Sequence, residues 1–142
     1  MIKEDTHMTD LELLQQAVKA RENAYTPYSH FRVGAALEGE SGALYLGCNV
    51  ENAAFGPTNC AERTAFFKAV SEGERRFTRI AIVGAREGEP LAVTAPCGVC
   101  RQVMREFCDP AQFRIILGTG EADLKSYTLS QLLPESFGPE NL

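Results

Sequence analysis

The sequence predicts an α/β layered sandwich with parallel strands in its second half, on three observations. Ile80-Ala81-Ile82-Val83 and Ile115-Ile116-Leu117 are near-continuous apolar runs, as strands covered on both faces require. Residues 60–72 and 97–108 carry apolar side chains at helical spacing, and each segment precedes one of those runs. Helices that alternate with buried strands place a sheet between helical layers.

From the amino terminus, residues 1–8 read as a loose leader. Thr9 followed by Glu12 has the pattern of a capping box, and Leu11, Leu14 and Val18, with Leu13 and Ala17, give an amphipathic helix its apolar stripe. Pro27 is expected to stop that helix. Residues 31–38 and 43–50 are short extended runs around Gly39-Glu40-Ser41-Gly42, the pattern of a hairpin. A polar, turn-rich stretch over residues 51–59 delivers the chain to Cys60. The helix over 60–72 is expected to be largely buried through Phe66, Phe67, Ala69 and Val70, with Gly73 as its stop. The helix over 97–108 has Val99, Val103 and Phe107 at four-residue spacing. A short strand near Tyr127 and a turn of helix over 129–133 end the core. No internal repeat, low-complexity segment or long linker divides residues 1–142. One domain is therefore expected, long enough to bury roughly two-thirds of its unfolded surface.

Composition narrows the function. The net charge of −5 disfavours a nucleic-acid partner, because affinity for polyanions comes largely from lysine and arginine neutralising phosphates. It leaves room for a nucleoside, which carries no phosphate. No apolar run reaches the ~18 residues of a membrane span, and Met1-Ile2-Lys3-Glu4-Asp5 lacks the form of a signal peptide. A cytoplasmic location is expected, in which the five cysteines stay reduced and available to a metal.

The chemistry lies in Asn59-Cys60-Ala61-Glu62 and Pro96-Cys97-Gly98-Val99-Cys100. Cys97 and Cys100, three apart at a helix start, have neighbouring side chains. Alone, the pair reads equally as a redox couple or as two core cysteines. Cys60, also at a helix start, favours a zinc site with Zn–S bonds of about 2.3 Å. A structural zinc takes four protein ligands, whereas three thiolates leave a position for water. Cys108 lies eight residues past Cys100 on one helix, about 12 Å away at 1.5 Å per residue, too far to close the site. Cys48 is expected to be a buried, inert thiol. Two helix N-termini aimed at one point favour the anionic cluster. Arg63 is the candidate for compensating its charge, with an ordinary surface role as the alternative.

Glu62 has two readings. With Asn59 it forms a capping box; beside an activated water it is a general base and then a general acid. The three cysteines favour the second, provided Cys60 sits at the helix edge. His7 and His30 are expected to be solvated, leaving little for a histidine-dependent hydrolase. Gly118-Thr119-Gly120 lacks the remainder of a phosphate-binding motif. A structural zinc clip in an interaction module is the alternative from another class, and the ligand count separates the two.

A ligand-x-Glu followed by Pro-Cys-x-x-Cys is the pattern of zinc deaminases. With Tyr28-Ser29-His30-Phe31-Arg32-Val33-Gly34-Ala35-Ala36, Gly47-Cys48-Asn49-Val50-Glu51-Asn52-Ala53, Asn59-Cys60-Ala61-Glu62-Arg63-Thr64-Ala65 and Pro96-Cys97-Gly98-Val99-Cys100-Arg101, the chain resembles the cytidine deaminases of the short, three-cysteine, homotetrameric type. The match runs over residues 11–137. The resemblance implies a three-layer α/β/α sandwich around a mixed five-stranded sheet. It implies one Zn²⁺ per subunit on Cys60, Cys97 and Cys100, with Glu62 as the catalytic proton carrier. It further implies that Asn49 and Glu51 hydrogen-bond the ribose, chiefly its 3′-hydroxyl, that Phe31 stacks near the pyrimidine, and that Ala61 contributes to substrate binding. Phe137 of one subunit then closes the site of a neighbour in a homotetramer. Unaided, Asn49 and Glu51 read as turn residues at a strand end, and Phe31 as core. Phe55 departs from the pattern, in which many relatives have tyrosine; the lost phenolic hydroxyl affects one contact near the sugar's 5′ end and not the chemistry. The implied reaction is hydrolytic deamination of cytidine and 2′-deoxycytidine to uridine and 2′-deoxyuridine plus ammonia, in pyrimidine salvage.

Overall fold

In the computed structural model, which describes residues 7–142, five strands form one mixed sheet in the order β2-β1-β3-β4-β5. They are β1 (Phe31–Gly39), β2 (Leu44–Cys48), β3 (Phe77–Arg86), β4 (Arg114–Leu117) and β5 (Lys125–Thr128). β1 runs antiparallel to both β2 and β3, β3 and β4 are parallel, and β5 is antiparallel to β4. The parallel pair comprises the two apolar runs of the sequence. Among the described residues, four α-helices accompany the sheet: α1 (Asp10–Arg21), α2 (Ala61–Ser71), α3 (Gly98–Phe107) and α4 (Leu129–Leu132).

Successive side chains of a strand point to opposite faces, and the central strands are apolar in both directions. Ala35, Leu37, Ile80, Ile82, Ile115 and Leu117 face α2 and α3, packing with Ala65, Phe66, Cys100 and Met104. Ala36, Ala81, Val83 and Ile116 face the other way, onto Leu13, Leu14 and Ala17 of α1. The result is the expected three-layer sandwich. Full burial of each larger side chain contributes about 1.5–3 kcal/mol. Glycine sets the layer spacing at two points. A Cβ on Gly34 would run into the Ala17 carbonyl of α1, and one on Gly47 into the Ala61 carbonyl of α2.

Local signals hold where the partner is near in sequence. Thr9 caps α1, its hydroxyl accepting from Glu12 N at 3.1 Å while Thr9 N donates to the Glu12 carboxylate at 2.9 Å. Such a cap is worth about 1 kcal/mol. Gly73, at φ 102°, follows the end of α2 as predicted.

Several expectations need correction. Helix α1 ends at Arg21, well before Pro27. Beyond it, Tyr25 N donates to Asn49 O and Glu51 N donates to Tyr25 O, so sheet-like pairing takes the chain before proline can act. Of the expected leader over 1–8, residues 1–6 lie outside the described residues, while Met8 packs against the α1 core. Phe67 and Val99, expected in buried stripes, are 49% and 59% exposed. The buried stripe of α2 runs through Ala61, Glu62, Ala65, Phe66 and Ala69, and that of α3 through Cys100 and Met104, which turns Phe67 and Val99 outward. An unforeseen ionic cluster also ties α1 to the sheet: Arg79 grips both oxygens of buried Glu38, at 2.7 and 2.9 Å, and reaches Asp10, which Arg114 also holds.

Candidate active site

Cys60 and Cys97 are the N-cap residues of α2 and α3, both in extended conformation. An N-cap stands half outside its helix, which answers how Cys60 and Glu62, only two residues apart, can serve one place. Cys100 lies in the first turn of α3. The three sulfur atoms are all within 4.8 Å of one another, with Cys97 Sγ 3.8 Å from Cys60 and 3.4 Å from Cys100. Cys100 is buried, Cys60 half-buried and Cys97 exposed, so the cluster is open on one side.

Glu62 is 5% exposed. The capping-box alternative is not realised: neither Asn59 nor Cys60 accepts a side-chain capping bond, and Asn59 Nδ2 instead donates to Thr64 Oγ1 at 3.2 Å. Burial, reinforced by the Cys60 charge, raises the Glu62 carboxyl to about 7, against the pull of its own backbone N–H, Cys100 and Arg63. Its proton affinity thus matches neutral pH, as a group that both takes and returns a proton requires.

Arg63 turns its guanidinium to the sulfur, Nη2 donating to Cys60 Sγ at 3.2 Å. Hydrogen bonding from Cys100, and then from Arg63, holds the Cys60 thiol well below its ordinary range despite burial. The bond to Cys60 in turn raises the Arg63 pKa. Arg63 Nε is buried without a hydrogen-bond partner, a guanidinium kept for a negative cluster and not for solvent. Three convergent soft donors, a neighbouring cation and a nearby carboxyl fit Zn²⁺ with a position left for water.

The other cysteines stand apart from this cluster. Cys108 is the C-cap of α3, buried, its thiol pushed up by desolvation. Cys48, expected to be buried, is only half-buried at the end of β2. It lines a cleft with Lys68 and Thr64. The Gly118–Gly120 turn is filled from within: Asp123 accepts from Thr119 N and Gly120 N, at 2.9 and 3.1 Å. His7 and His30 are exposed.

The expected substrate-reading residues gather at the adjoining strand ends. Asn49 Oδ1 accepts from Val33 N at 2.9 Å and its Nδ2 donates to Phe31 O at 2.8 Å, fixing the amide against β1. Glu51 accepts from Tyr28 N and Ser29 N, each at 3.0 Å. A bridge in which Val50 and Asn59 exchange both backbone bonds at 3.0 Å closes the loop between them, bringing residues 49–51 beside the chain entering Cys60. Phe31 is half-buried over Gly84, and Ala61 is fully buried at the start of α2. Phe137 is 58% exposed in the carboxy-terminal tail, which Gln102 of α3 holds by donating to Phe137 O at 2.9 Å. Sequence reasoning missed Tyr28 and Ser29 as holders of Glu51, since the bond spans 23 and 22 residues. The Tyr-Ser string beside Phe31 was the only available signal.

Comparison with known proteins gives the family. The family model described as "Cytidine and deoxycytidylate deaminase zinc-binding region" matches residues 7–115. A cytidine deaminase of Sporosarcina psychrophila is 50% identical over 131 residues, covering 92% of this chain and 93% of the relative. That of Halalkalibacterium halodurans is 50% identical over 130 residues, with 92% and 95% covered. The crystal structure of cytidine deaminase from Burkholderia pseudomallei aligns with a TM-score of 0.82 at 46% identity, over 92% of this chain and 100% of that one. With the family's zinc-binding region spanning the stretch from α1 to β4 and full-length relatives at half identity, this chain belongs to the cytidine deaminase family.

Proposed function

We propose that the protein hydrolyses cytidine and 2′-deoxycytidine to uridine and 2′-deoxyuridine plus ammonia, as a zinc enzyme of pyrimidine salvage in the cytoplasm. The observation that carries this reading is the meeting of three thiols with a buried carboxyl, Glu62, whose pKa lies near neutrality. Cys60, Cys97 and Cys100 hold the metal and Arg63 offsets their charge. Zinc bound there supplies the Lewis acidity that brings the ionisation of water from 15.7 to about 7.

The chain's own residues do the rest. Glu62 takes a proton from the attacking water and delivers it to N3 of the pyrimidine, which makes C4 electrophilic. The water oxygen adds to C4. Glu62 then carries the second proton to the exocyclic nitrogen, the C4–N bond breaks and ammonia leaves. Asn49 and Glu51 hold the ribose, Phe31 and Ala61 border the base, and Phe137 of a neighbouring subunit in a homotetramer covers it. The single domain spans 1–142. The acidic charge disfavours nucleic acid as a partner, and among the described residues no helix is long and apolar enough to cross a membrane.

Adding cytidine to zinc-loaded protein tests the reading directly. Equimolar uridine and ammonia are expected; their absence with zinc bound would return the cysteines to a structural role.

A further inference from the structure

Glu51 is gripped from one loop on both of its oxygens. Ser29 Oγ donates to Glu51 Oε2, while the backbone N–H groups of Tyr28 and Ser29 converge on Oε1. The same serine hydroxyl accepts from Phe31 N at 3.0 Å, which fixes the direction of its own proton toward Glu51. The loop is held at both ends by Glu87. Its carboxylate accepts from Thr26 Oγ1 and Arg32 Nε, each at 3.1 Å, and its N–H donates to His30 O at 2.8 Å. His30 stands at φ 57°, a left-handed conformation that few side chains adopt and that turns the chain from this loop into β1. Ser29 and Glu51 are neighbours on the wall of a cavity of about 300 Å³, completed by Tyr28, Asn52, Phe55 and Thr58.

An ionised carboxylate accepts about four hydrogen bonds. The loop occupies three, all from the side of residues 28 and 29, and leaves capacity for one more donor. We propose that Ser29 is a positioning and specificity residue, which orients Glu51 so that its remaining acceptor site takes one free hydroxyl of a nucleoside sugar. The proposal deepens the function above and rests on Glu51 reading the ribose.

The test compares kcat/KM of zinc-loaded wild type, Ser29→Ala and Ser29→Thr on cytidine and on 3′-deoxycytidine, with zinc content measured alongside. A site built around a hydroxyl rejects the analogue that lacks it by ~10³-fold or more, and this is expected of the wild type. In Ser29→Ala the value for cytidine should fall about tenfold through KM, as for loss of one charge-assisted hydrogen bond. The value for 3′-deoxycytidine and the zinc content should hold, and Ser29→Thr should behave as wild type. No discrimination in the wild type overturns the ribose reading and the proposal with it. Undiminished discrimination in Ser29→Ala, equal losses on both nucleosides, or a Ser29→Thr variant as impaired as Ser29→Ala overturns the role of Ser29 alone.

Discussion

Glu38 and Glu62 are both sealed from solvent, at 4% and 5% exposure, yet the fold drives their acidities in opposite directions. Burial raises both. At Glu38 the forked guanidinium of Arg79, helped by the Thr78 hydroxyl, outweighs burial and holds the carboxyl below its usual range. At Glu62 the nearby guanidinium of Arg63 is the last and smallest of the opposing effects and does not outweigh burial. The adjacent Arg63 is turned to Cys60, and the negative sulfur adds to the effect of burial, so the carboxyl rises to about 7. A buried carboxylate gripped by a guanidinium fastens β1 to β3, and the same Arg79 reaches Asp10 of α1. A buried carboxylate whose cation is directed elsewhere keeps a proton to exchange.

The contrast can be broken most severely from the Glu62 side. Cys60→Ala should remove zinc, turnover and part of the fold's stability, since metal binding is coupled to folding; metal analysis, the cytidine assay and a melting curve read all three. Full zinc retention would show that the thiols act otherwise. Glu62→Gln keeps the shape but ends proton exchange. Turnover should drop by at least ~100-fold with zinc still bound, and a normal rate would place Glu62 outside the chemistry.

Arg79→Met attacks the other carboxylate. It leaves Glu38 buried without its main partner and should lower stability by about 3 kcal/mol in denaturant titration. Zinc content and the kcat of the folded fraction should be unchanged, which separates fastening from catalysis.

The smallest effect is a pair of opposed pH slopes in metal-free protein. Glu38 and Asp10 have folded pKa values below their unfolded ones, so their stabilisation is full above roughly pH 4 and is lost as pH falls through the folded values. Glu62 has a folded value above its unfolded one. Between about pH 4.3 and 7 the folded state retains a proton that the unfolded state has lost, so its contribution declines as pH rises. Each slope is at most about 1.4 kcal/mol per pH unit, the value for one proton. Measured against wild type from below pH 4 up to pH 7, unfolding free energies should lose the Glu62 decline in Glu62→Gln and the acid-side rise in Arg79→Met. Identical profiles in both variants would erase the distinction between the two carboxylates.

Local chemistry was legible in the sequence. Thr9 and Glu12 are three residues apart and their capping box formed. The apolar runs at 80–83 and 115–117 became neighbouring parallel strands, because a strand buried on both faces has no polar side to show. Cys97 and Cys100 met across one helical turn. The family motifs also made the sheet, the zinc site and the reaction class readable. Helical periodicity misled for Phe67 and Val99, since a stripe of apolar residues does not say which of its members the sheet will cover.

Long-range pairing decided the rest. Arg79 and Glu38 lie 41 residues apart, and Arg114 and Asp10 lie 104 apart, so no local pattern relates them. Cys60 carries the signature of a zinc ligand in its motif, but its distance from Cys97 was set by α2 and α3 packing on one face of the sheet. The sequence by itself determined which atoms could bind a metal and move a proton, because those capacities belong to the side chains. Only the tertiary structure decided that Glu38 would stay charged and Glu62 would hold a proton near neutral pH, because solvent exclusion and the direction of each guanidinium arise when distant segments meet.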